Sequence, residues 1–181
     1  MAKIDLIIPS LGNKFIDLRD SLPGNAYSWS WERSLSEIKY LAIHHSVASD
    51  TQTPVQIANF HIQSNGWGGI GYHFVIAKDG VVYYVGDLST ARANVAKLNE
   101  AVIGICLIGN FMSGRVPTEE QLNSAKVLCD FFINIYPDLP NLNGWDSVRG
   151  HKELSGQSTT CPGDNWPLWK TKIVSGNGGR K

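Results

Sequence analysis

The chain has 181 residues, of which 43% are hydrophobic and 18% charged, proportions that predict one globular domain and exclude a disordered chain. Lysine plus arginine and aspartate plus glutamate number 16 each, so no net charge would attract the protein to nucleic acid or to an anionic membrane. We therefore expect neither a nucleic-acid nor a membrane partner, and we expect a monomer.

The N-terminal residues 1–36 are rich in Gly, Pro, Ser and Asn and show neither a helical nor a strand period. We expect a segment that wraps the domain through apolar anchors such as Trp29 and Trp31. The apolar run Leu6-Ile7-Ile8 is too short for the core of a signal peptide, so we expect synthesis in the cytoplasm without an export signal. Residues 176–181 are expected to form a flexible tail.

Five apolar runs predict β-strands in the remainder of the chain. Two of them flank Lys78-Asp79-Gly80, and Asp-Gly between such runs predicts a hairpin. The predicted strands are residues 39–44, 72–76, 81–85, 102–108 and 147–149.

Three segments predict helices. Thr53 with Gln56, and Thr118 with Gln121, each have the spacing of a capping box, in which two side chains satisfy the first backbone amides of a helix. The second helix carries apolar residues at spacings of three and four and should stop before Pro137. The predicted helices are residues 53–63, 118–136 and 166–174.

The order of elements is therefore β, α, ββ, β, α, β, α. Strands that alternate with helices, with one hairpin among them, predict an α/β fold rather than a β-sandwich. We expect a single domain over residues 1–175 with a central mixed β-sheet flanked by helices.

The three cysteines are an odd number in a chain too large to need disulfides, so reduced thiols are expected. Cys106 and Cys129 lie in apolar patterns and are expected to be small core residues. Cys161 differs, because it lies in the polar stretch from Ser158 to Asp164.

A catalytic zinc site needs three nitrogen, sulfur or oxygen ligands and an open fourth position. His44 ends the first predicted strand, His151 lies in a polar segment, and Cys161 follows ten positions later. By spacing alone, the favoured interpretation of His44 and His45 is one buried structural histidine and one that faces solvent, because neighbours on a strand point to opposite faces.

Five blocks of sequence are informative when they are read together. The blocks are Ile43-His44-His45-Ser46, Gly71-Tyr72-His73-Phe74, Ile103-Gly104-Ile105-Cys106-Leu107-Ile108-Gly109-Asn110-Phe111, Gly150-His151-Lys152 and Cys161-Pro162-Gly163-Asp164. Together they resemble the N-acetylmuramoyl-L-alanine amidase family, which includes phage lysozyme-type amidases, bacterial autolysins and animal peptidoglycan recognition proteins. The resemblance runs from about Ile16 to Trp169, in order along the chain.

The resemblance implies a fold like that of the peptidoglycan recognition proteins and a substrate, peptidoglycan, that is cut between N-acetylmuramic acid and L-alanine. It also implies a Zn²⁺ cofactor, with His44, His151 and Cys161 at the positions of the family's metal ligands. His45 matches a position that is not a ligand. Tyr72 matches the family's active-site tyrosine, and the resemblance makes it a catalytic residue.

Thr159 falls where some family members have lysine and others threonine, and it is the second catalytic residue that the resemblance implies. Two features depart from the family pattern. Nine residues separate His151 from Cys161, more than relatives usually have, which predicts a longer loop and makes the match of Thr159 less direct. The lysine that some relatives use near the metal is also absent.

Of three further residues, Trp67 and Asn110 have two interpretations each. Trp67, on a glycine-rich loop, could stack on substrate or pin the loop to the core. His73 is expected to be a buried structural histidine that points away from Tyr72. Asn110 could bind substrate or cap a turn, and the turn is favoured.

The resemblance favours a hydrolytic enzyme of phage or prophage origin, an endolysin with bacteriolytic, antimicrobial action on the cell wall. Three other interpretations compete with it. One is a non-catalytic peptidoglycan-binding module, in which the cysteine ligand is typically replaced. A second is a cytoplasmic amidase of muropeptide recycling, which commonly has aspartate as its third ligand. The third is a structural zinc protein with a closed site of four ligands, for which His45 or His73 would have to supply the fourth.

Overall fold

A computed structural model describes residues 3–24 and 31–174. Trp29 and the expected tail at 176–181 lie outside the described residues, so those two expectations stay predictions. Six strands form one sheet: β1 (Phe15–Asp17), β2 (Tyr40–His45), β3 (Phe74–Ile76), β4 (Val82–Tyr84), β5 (Val102–Leu107) and β6 (Val148–Gly150).

The strand order across the sheet is β1-β4-β3-β5-β2-β6. The hairpin pair β3 and β4 is antiparallel, and all other neighbours are parallel. The predicted mixed sheet, its hairpin and the α/β fold class are thus confirmed. Parallel neighbours need long crossover connections, and here these connections carry the helices.

The three α-helices are α1 (Pro54–Asn65), α2 (Glu119–Asp130) and α3 (Trp166–Val174). Both predicted capping boxes are present, at Thr53 and at Thr118. The second helix departs from its prediction, because a π-helical turn at Phe131–Ile135 follows α2 before the chain becomes extended. Five short 3-10 helices complete the described elements: Pro9–Lys14, Leu35–Glu37, Asn99–Ala101, Gly144–Ser147 and His151–Glu153.

The helices cover the two faces of the sheet. Side chains alternate along β2, so Leu41 and Ile43 join the larger core cluster with residues of α2 and α3. Ile57 and Ala58 of α1 pack with Cys106 on the opposite face. His44 is paired in register with Cys106, so the His44 side chain points to the face that α1 covers.

The N-terminal segment contains a strand that the sequence pattern did not indicate. β1 pairs with β4 at the edge of the sheet, from Phe15 to Asp17. Just beyond it, the guanidinium of Arg19 forms ion pairs with Asp17 and with Asp87. These contacts tie this part of the segment to the domain.

All three cysteines are free, as expected, and Cys106 and Cys129 are buried. Within residues 3–24 and 31–174, no helix is long and apolar enough to cross a membrane.

Candidate metal centre

The first two candidate ligands meet because their strands are parallel neighbours. His44 lies near the carboxyl end of β2, and His151 directly follows the last residue of β6. Side chains at the carboxyl ends of adjacent parallel strands share one edge of the sheet, where ligands of open α/β sheets usually bind. The two imidazole rings are accordingly 4.7 Å apart between centroids.

Cys161 reaches the same edge on a turn that two glycines allow to pack closely. A Cβ on Gly150 would lie 2.7 Å from Trp166 Nε1, so only glycine lets β6 approach this turn. Gly163 has a φ of 130°, and a Cβ there would lie 2.3 Å from the carbonyl oxygen of Phe111. The backbone amide of Lys152 also donates to the carbonyl oxygen of Cys161 at 2.9 Å.

The three candidate ligands form one cluster. One ligand atom each from His44, His151 and Cys161 lies within 4.8 Å of the other two, and Cys161 Sγ is 3.7 Å from His44 Nδ1. Two nitrogen donors and one sulfur donor match the ligand set of a catalytic zinc site that keeps one position open. The sequence prediction brought together the same three residues, and the structure places them close enough together to hold one metal ion.

The pKa values of the three candidate ligands are compatible with the protonation states that bind a metal cation. Burial, with a smaller effect from His151, lowers the pKa of His44 well below its usual value, and burial also lowers the pKa of His151. Both rings are therefore neutral at pH 7, as metal ligands must be. Burial raises the pKa of Cys161 to about 12, so the buried thiol becomes a thiolate at neutral pH when a cation compensates its charge.

Two nearby groups favour the thiolate form of Cys161. The backbone amide of His45 hydrogen-bonds to Cys161 and lowers its pKa against the larger effect of burial, and the charge of Lys152 acts in the same direction. Lys152 Nζ also donates to the carbonyl oxygen of Gly163 at 2.7 Å. No pattern in the sequence indicated this cation beside the third ligand.

The two predicted catalytic residues border the cluster. The Tyr72 ring lies 5.2 Å from that of His44, and burial raises the pKa of Tyr72 well above 10, so its hydroxyl remains a donor. That hydroxyl hydrogen-bonds to the thiol of Cys106. Thr159 is exposed at the cavity, and its Oγ1 accepts from the Cys161 amide at 3.1 Å, which leaves its hydroxyl proton free to donate.

A cavity of about 370 Å³ opens over the three ligands. This volume lies within the range of small-molecule sites. Tyr72, Trp67, His61 and Phe60 form an aromatic wall, and Thr159 lies on the cavity lining with Cys161. The Nδ1 atom of His61 accepts a hydrogen bond from the Gly71 amide at 3.0 Å, so this nitrogen is not an acceptor for a molecule in the cavity.

Trp67 combines both interpretations that its sequence context left open. Its ring lines the cavity and lies 4.8 Å from the ring of His61. Its backbone amide donates to the carbonyl oxygen of His61, and the same ring sits close over Gly71, so it also holds the loop in place.

The remaining histidine and asparagine candidates have structural partners. His45 Nδ1 accepts from the Phe111 amide at 3.1 Å. His73 is fully buried, and its Nδ1 accepts from the Gly104 amide at 3.0 Å. Asn110 Oδ1 accepts from the Met112 amide, which closes a turn.

A family model described as N-acetylmuramoyl-L-alanine amidase matches residues 34–164. The chain belongs to this family. The match spans every strand from β2 to β6 and all three candidate ligands, and it confirms the resemblance noted in the sequence.

Curated members similar to the chain include animal recognition proteins. Peptidoglycan recognition protein 1 of Bos indicus is 29% identical over 154 residues, which cover 77% of each chain. Peptidoglycan-recognition protein SC2 of Drosophila simulans is 30% identical over 149 residues, which cover 75% of this chain and 77% of that protein.

Solved structures of the family have the same fold. The endolysin N-acetylmuramoyl-L-alanine amidase LysCS from Clostridium intestinale URNW is 28% identical, with a TM-score of 0.67 over 88% of this chain and 94% of that chain. A variant of Drosophila PGRP-LB in complex with tracheal cytotoxin is 26% identical, with the same TM-score over 83% and 89% of the two chains. The chain is therefore an amidase or a peptidoglycan-binding protein of this fold.

Proposed function

We propose that the protein is a zinc-dependent amidase that hydrolyses the amide bond between N-acetylmuramic acid and L-alanine in peptidoglycan. The observation that carries this proposal is the convergence of His44, His151 and Cys161 at the base of a cavity that Tyr72 borders. Zn²⁺ bound there would supply a Lewis acid that polarises the amide carbonyl and activates water at neutral pH.

The side chains around the ligands supply hydrogen-bond donors rather than a carboxylate base. None of the described residues that line the cavity is aspartate or glutamate. Tyr72 keeps its proton because of its raised pKa, and the hydroxyl proton of Thr159 is free, so both can donate to the oxygen on which negative charge develops. The aromatic wall would hold the muramyl peptide and exclude water from the side of the peptide that faces the wall.

The reaction adds water across one bond. The C–N bond between the lactyl carbonyl carbon and the alanine nitrogen breaks, and the carbonyl carbon gains the oxygen of water. The products are a lactyl carboxylate on the sugar and a free amino group on L-alanine, which takes up a proton.

The recognition proteins among the relatives give weight to a second candidate, a module that binds peptidoglycan without cutting it. The complete set of three candidate metal ligands and the adjacent tyrosine favour catalysis over binding alone. The thiol of Cys161 likewise favours a wall-lytic enzyme over a recycling amidase, for which an aspartate ligand is common.

One digestion separates these candidates. Purified peptidoglycan is incubated with the protein, with and without a chelator, and both new amino groups on L-alanine and new reducing sugar ends are measured. The amidase proposal expects free L-alanine amines that vanish with the chelator. Reducing ends without amines would indicate a glycosidase, and sedimentation with peptidoglycan without either product would indicate a binding module.

The similarity to a clostridial endolysin supports a further part of the proposal, that the protein is a phage or prophage endolysin. It would be made in the cytoplasm and would act on the bacterial wall as a monomer. Cytoplasmic expression should then leave cell turbidity unchanged until the membrane is permeabilised, after which turbidity should fall. Lysis without permeabilisation would contradict this localisation.

A further inference from the structure

The two imidazole nitrogens of His44 face different surroundings. Nδ1 lies 3.7 Å from Cys161 Sγ and faces the metal centre. Nε2 is sealed from solvent and makes no hydrogen bond within the described chain. A neutral ring that binds a metal through Nδ1 carries its proton on Nε2, and a buried N–H group needs an acceptor.

Asn94 Oδ1 is also a buried polar atom without a hydrogen bond among the described residues. The Asn94 side chain lies near His44, because both residues line the same cavity and Asn94 packs over Gly104. Gly104 is the register partner of Ala42, which shares a face of β2 with His44. A potential N–H donor and a carbonyl acceptor, both buried and both without a hydrogen bond among the described residues, therefore lie in the same part of the site.

Three features of its surroundings place the Asn94 side chain, and the first of them orients its amide. Its Nδ2 donates to the carbonyl oxygen of Arg92 at 2.7 Å, which leaves Oδ1 as the atom that can accept from His44. The Asn94 backbone amide donates to Asn99 Oδ1 at 3.0 Å. Gly104 provides the space, since a Cβ at that position would lie 2.6 Å from Asn94 Oδ1.

His151 has a matching partner on the other side of the cluster. Its Nε2 lies 3.2 Å from Gln157 Oε1. Gln157 Nε2 donates to the carbonyl oxygen of Ala96 at 2.9 Å, so this amide is also oriented with its oxygen toward a histidine. Gln157 belongs to the long loop between His151 and Cys161, the segment in which the chain departs from the family pattern.

We propose that Asn94 and Gln157 are positioning residues of the metal centre, whose side-chain oxygens hold the Nε2 protons of His44 and His151 and leave both Nδ1 atoms for the metal. The inference rests on the metal site of the proposed function but not on hydrolysis. Such partners of metal-bound histidines typically change metal affinity by about 10-fold to 100-fold.

The two residues should differ in effect. His44 Nε2 is sealed from solvent in the folded chain, so no water molecule bonds to it while the Asn94 side chain is in place. Gln157 is partly exposed on its loop, and water can take its place beside His151. Asn94→Ala should therefore weaken zinc binding by about 100-fold and Gln157→Ala by about 10-fold or less.

Zinc affinity, measured by competition with a chromophoric chelator, tests this inference in the full chain. The matched control is Asn134→Ala, which removes an exposed amide bonded to Asp130 Oδ1 on the protein surface. The expected order of affinities is wild type and N134A together, then Q157A, then N94A. Equal affinities for wild type and N94A would overturn the role of Asn94, and equal affinities for wild type and Q157A that of Gln157.

A second measurement needs no variant and no metal. Nitrogen-15 NMR of the metal-free wild-type protein reports which imidazole nitrogen carries the proton. The expected result is a proton on Nε2 of both His44 and His151, and a proton on Nδ1 of His44 would overturn the proposal even if N94A fails to fold. Failure of the proposed function looks different, because a protein that releases no L-alanine amines could still show this tautomer and this order of zinc affinities.

Discussion

Cys161 Sγ lies 3.7 Å from His44 Nδ1, although 117 positions of chain separate the two residues. The contact arises because β2 and β6 are parallel neighbours, so the carboxyl end of β2 and the loop after β6 open on the same edge of the sheet. The ligand cluster therefore depends on the topology of the sheet rather than on any local motif.

Removing the thiolate should abolish the metal site. Cys161→Ala leaves two neutral imidazoles as ligands. We expect zinc affinity and amidase activity to fall more than about 100-fold, which exceeds the effect of removing a hydrogen-bond partner of a histidine ligand. Cys129→Ala is the matched control, because Cys129 is buried away from the ligands in the larger core cluster. That control should lose about 1 kcal/mol of stability and retain its zinc affinity. Normal turnover by C161A would rule out this ligand.

Tyr72→Phe tests the hydroxyl beside the metal centre. If that hydroxyl stabilises the developing oxyanion, its loss should cost about 3 kcal/mol, or about 100-fold in kcat, with little change in KM. Zinc content should remain that of the wild type. A rise in KM with an unchanged kcat would instead make Tyr72 a substrate-binding residue.

Zinc binding should release one proton at neutral pH. The pKa of Cys161 is raised to about 12, whereas those of His44 and His151 are lowered, so above pH 7 only the thiol has a proton to lose. Zinc affinity should consequently rise about tenfold per pH unit between pH 7 and 9. Calorimetry in buffers of different ionisation enthalpy would count the proton, and an affinity independent of pH would show that the thiol ionises before the metal arrives.

The metal-free protein should be sensitive to mild acid. Burial lowers the pKa of four buried histidines from 6.5, so the unfolded chain takes up their protons while the folded chain does not: His44, His45, His61 and His73. Their contribution to stability is complete above about pH 7 and is lost as pH falls through 6.5 toward the folded pKa values. Between pH 6.5 and 5.5 the loss is about 1 kcal/mol per histidine, or about 4 kcal/mol together.

Urea unfolding of the chelator-treated protein at pH 7.5, 6.5 and 5.5 measures this loss. His61→Gln removes one of the four groups and should reduce the pH dependence by about a quarter. A free energy of unfolding that stays constant down to pH 5.5 would contradict the assignment of neutral buried histidines.

Local signals explain which elements were predictable. The helices that begin after Thr53 and Thr118 have capping boxes within four residues of sequence, and the structure confirms both. β1 was missed because it has three residues and forms through pairing with the distant β4. The π-helical turn at Phe131–Ile135 also carries no distinctive pattern, since its apolar spacing continues that of α2.

The residues of the candidate site likewise fall into those that the sequence indicated and those that it did not. His44, His151 and Cys161 stood out through the family resemblance, and their individual roles stay predictions. Asn94 and Gln157 carried no sequence signal, because an ordinary amide becomes a partner of histidine only when the sheet and two loops meet. His61 was likewise missed as part of the cavity wall, since nothing in the pattern of α1 shows that its last turn faces the ligands.

The central claim is that a zinc ion held by His44, His151 and Cys161 is required to cut the bond between muramic acid and L-alanine. The most direct test is zinc titration of the metal-depleted protein while hydrolysis of a soluble N-acetylmuramoyl-L-alanyl peptide is followed by its newly freed amine. The account predicts no activity without zinc and a linear rise that saturates at one zinc per chain. Full activity in the metal-depleted protein, unchanged by added zinc, would contradict it.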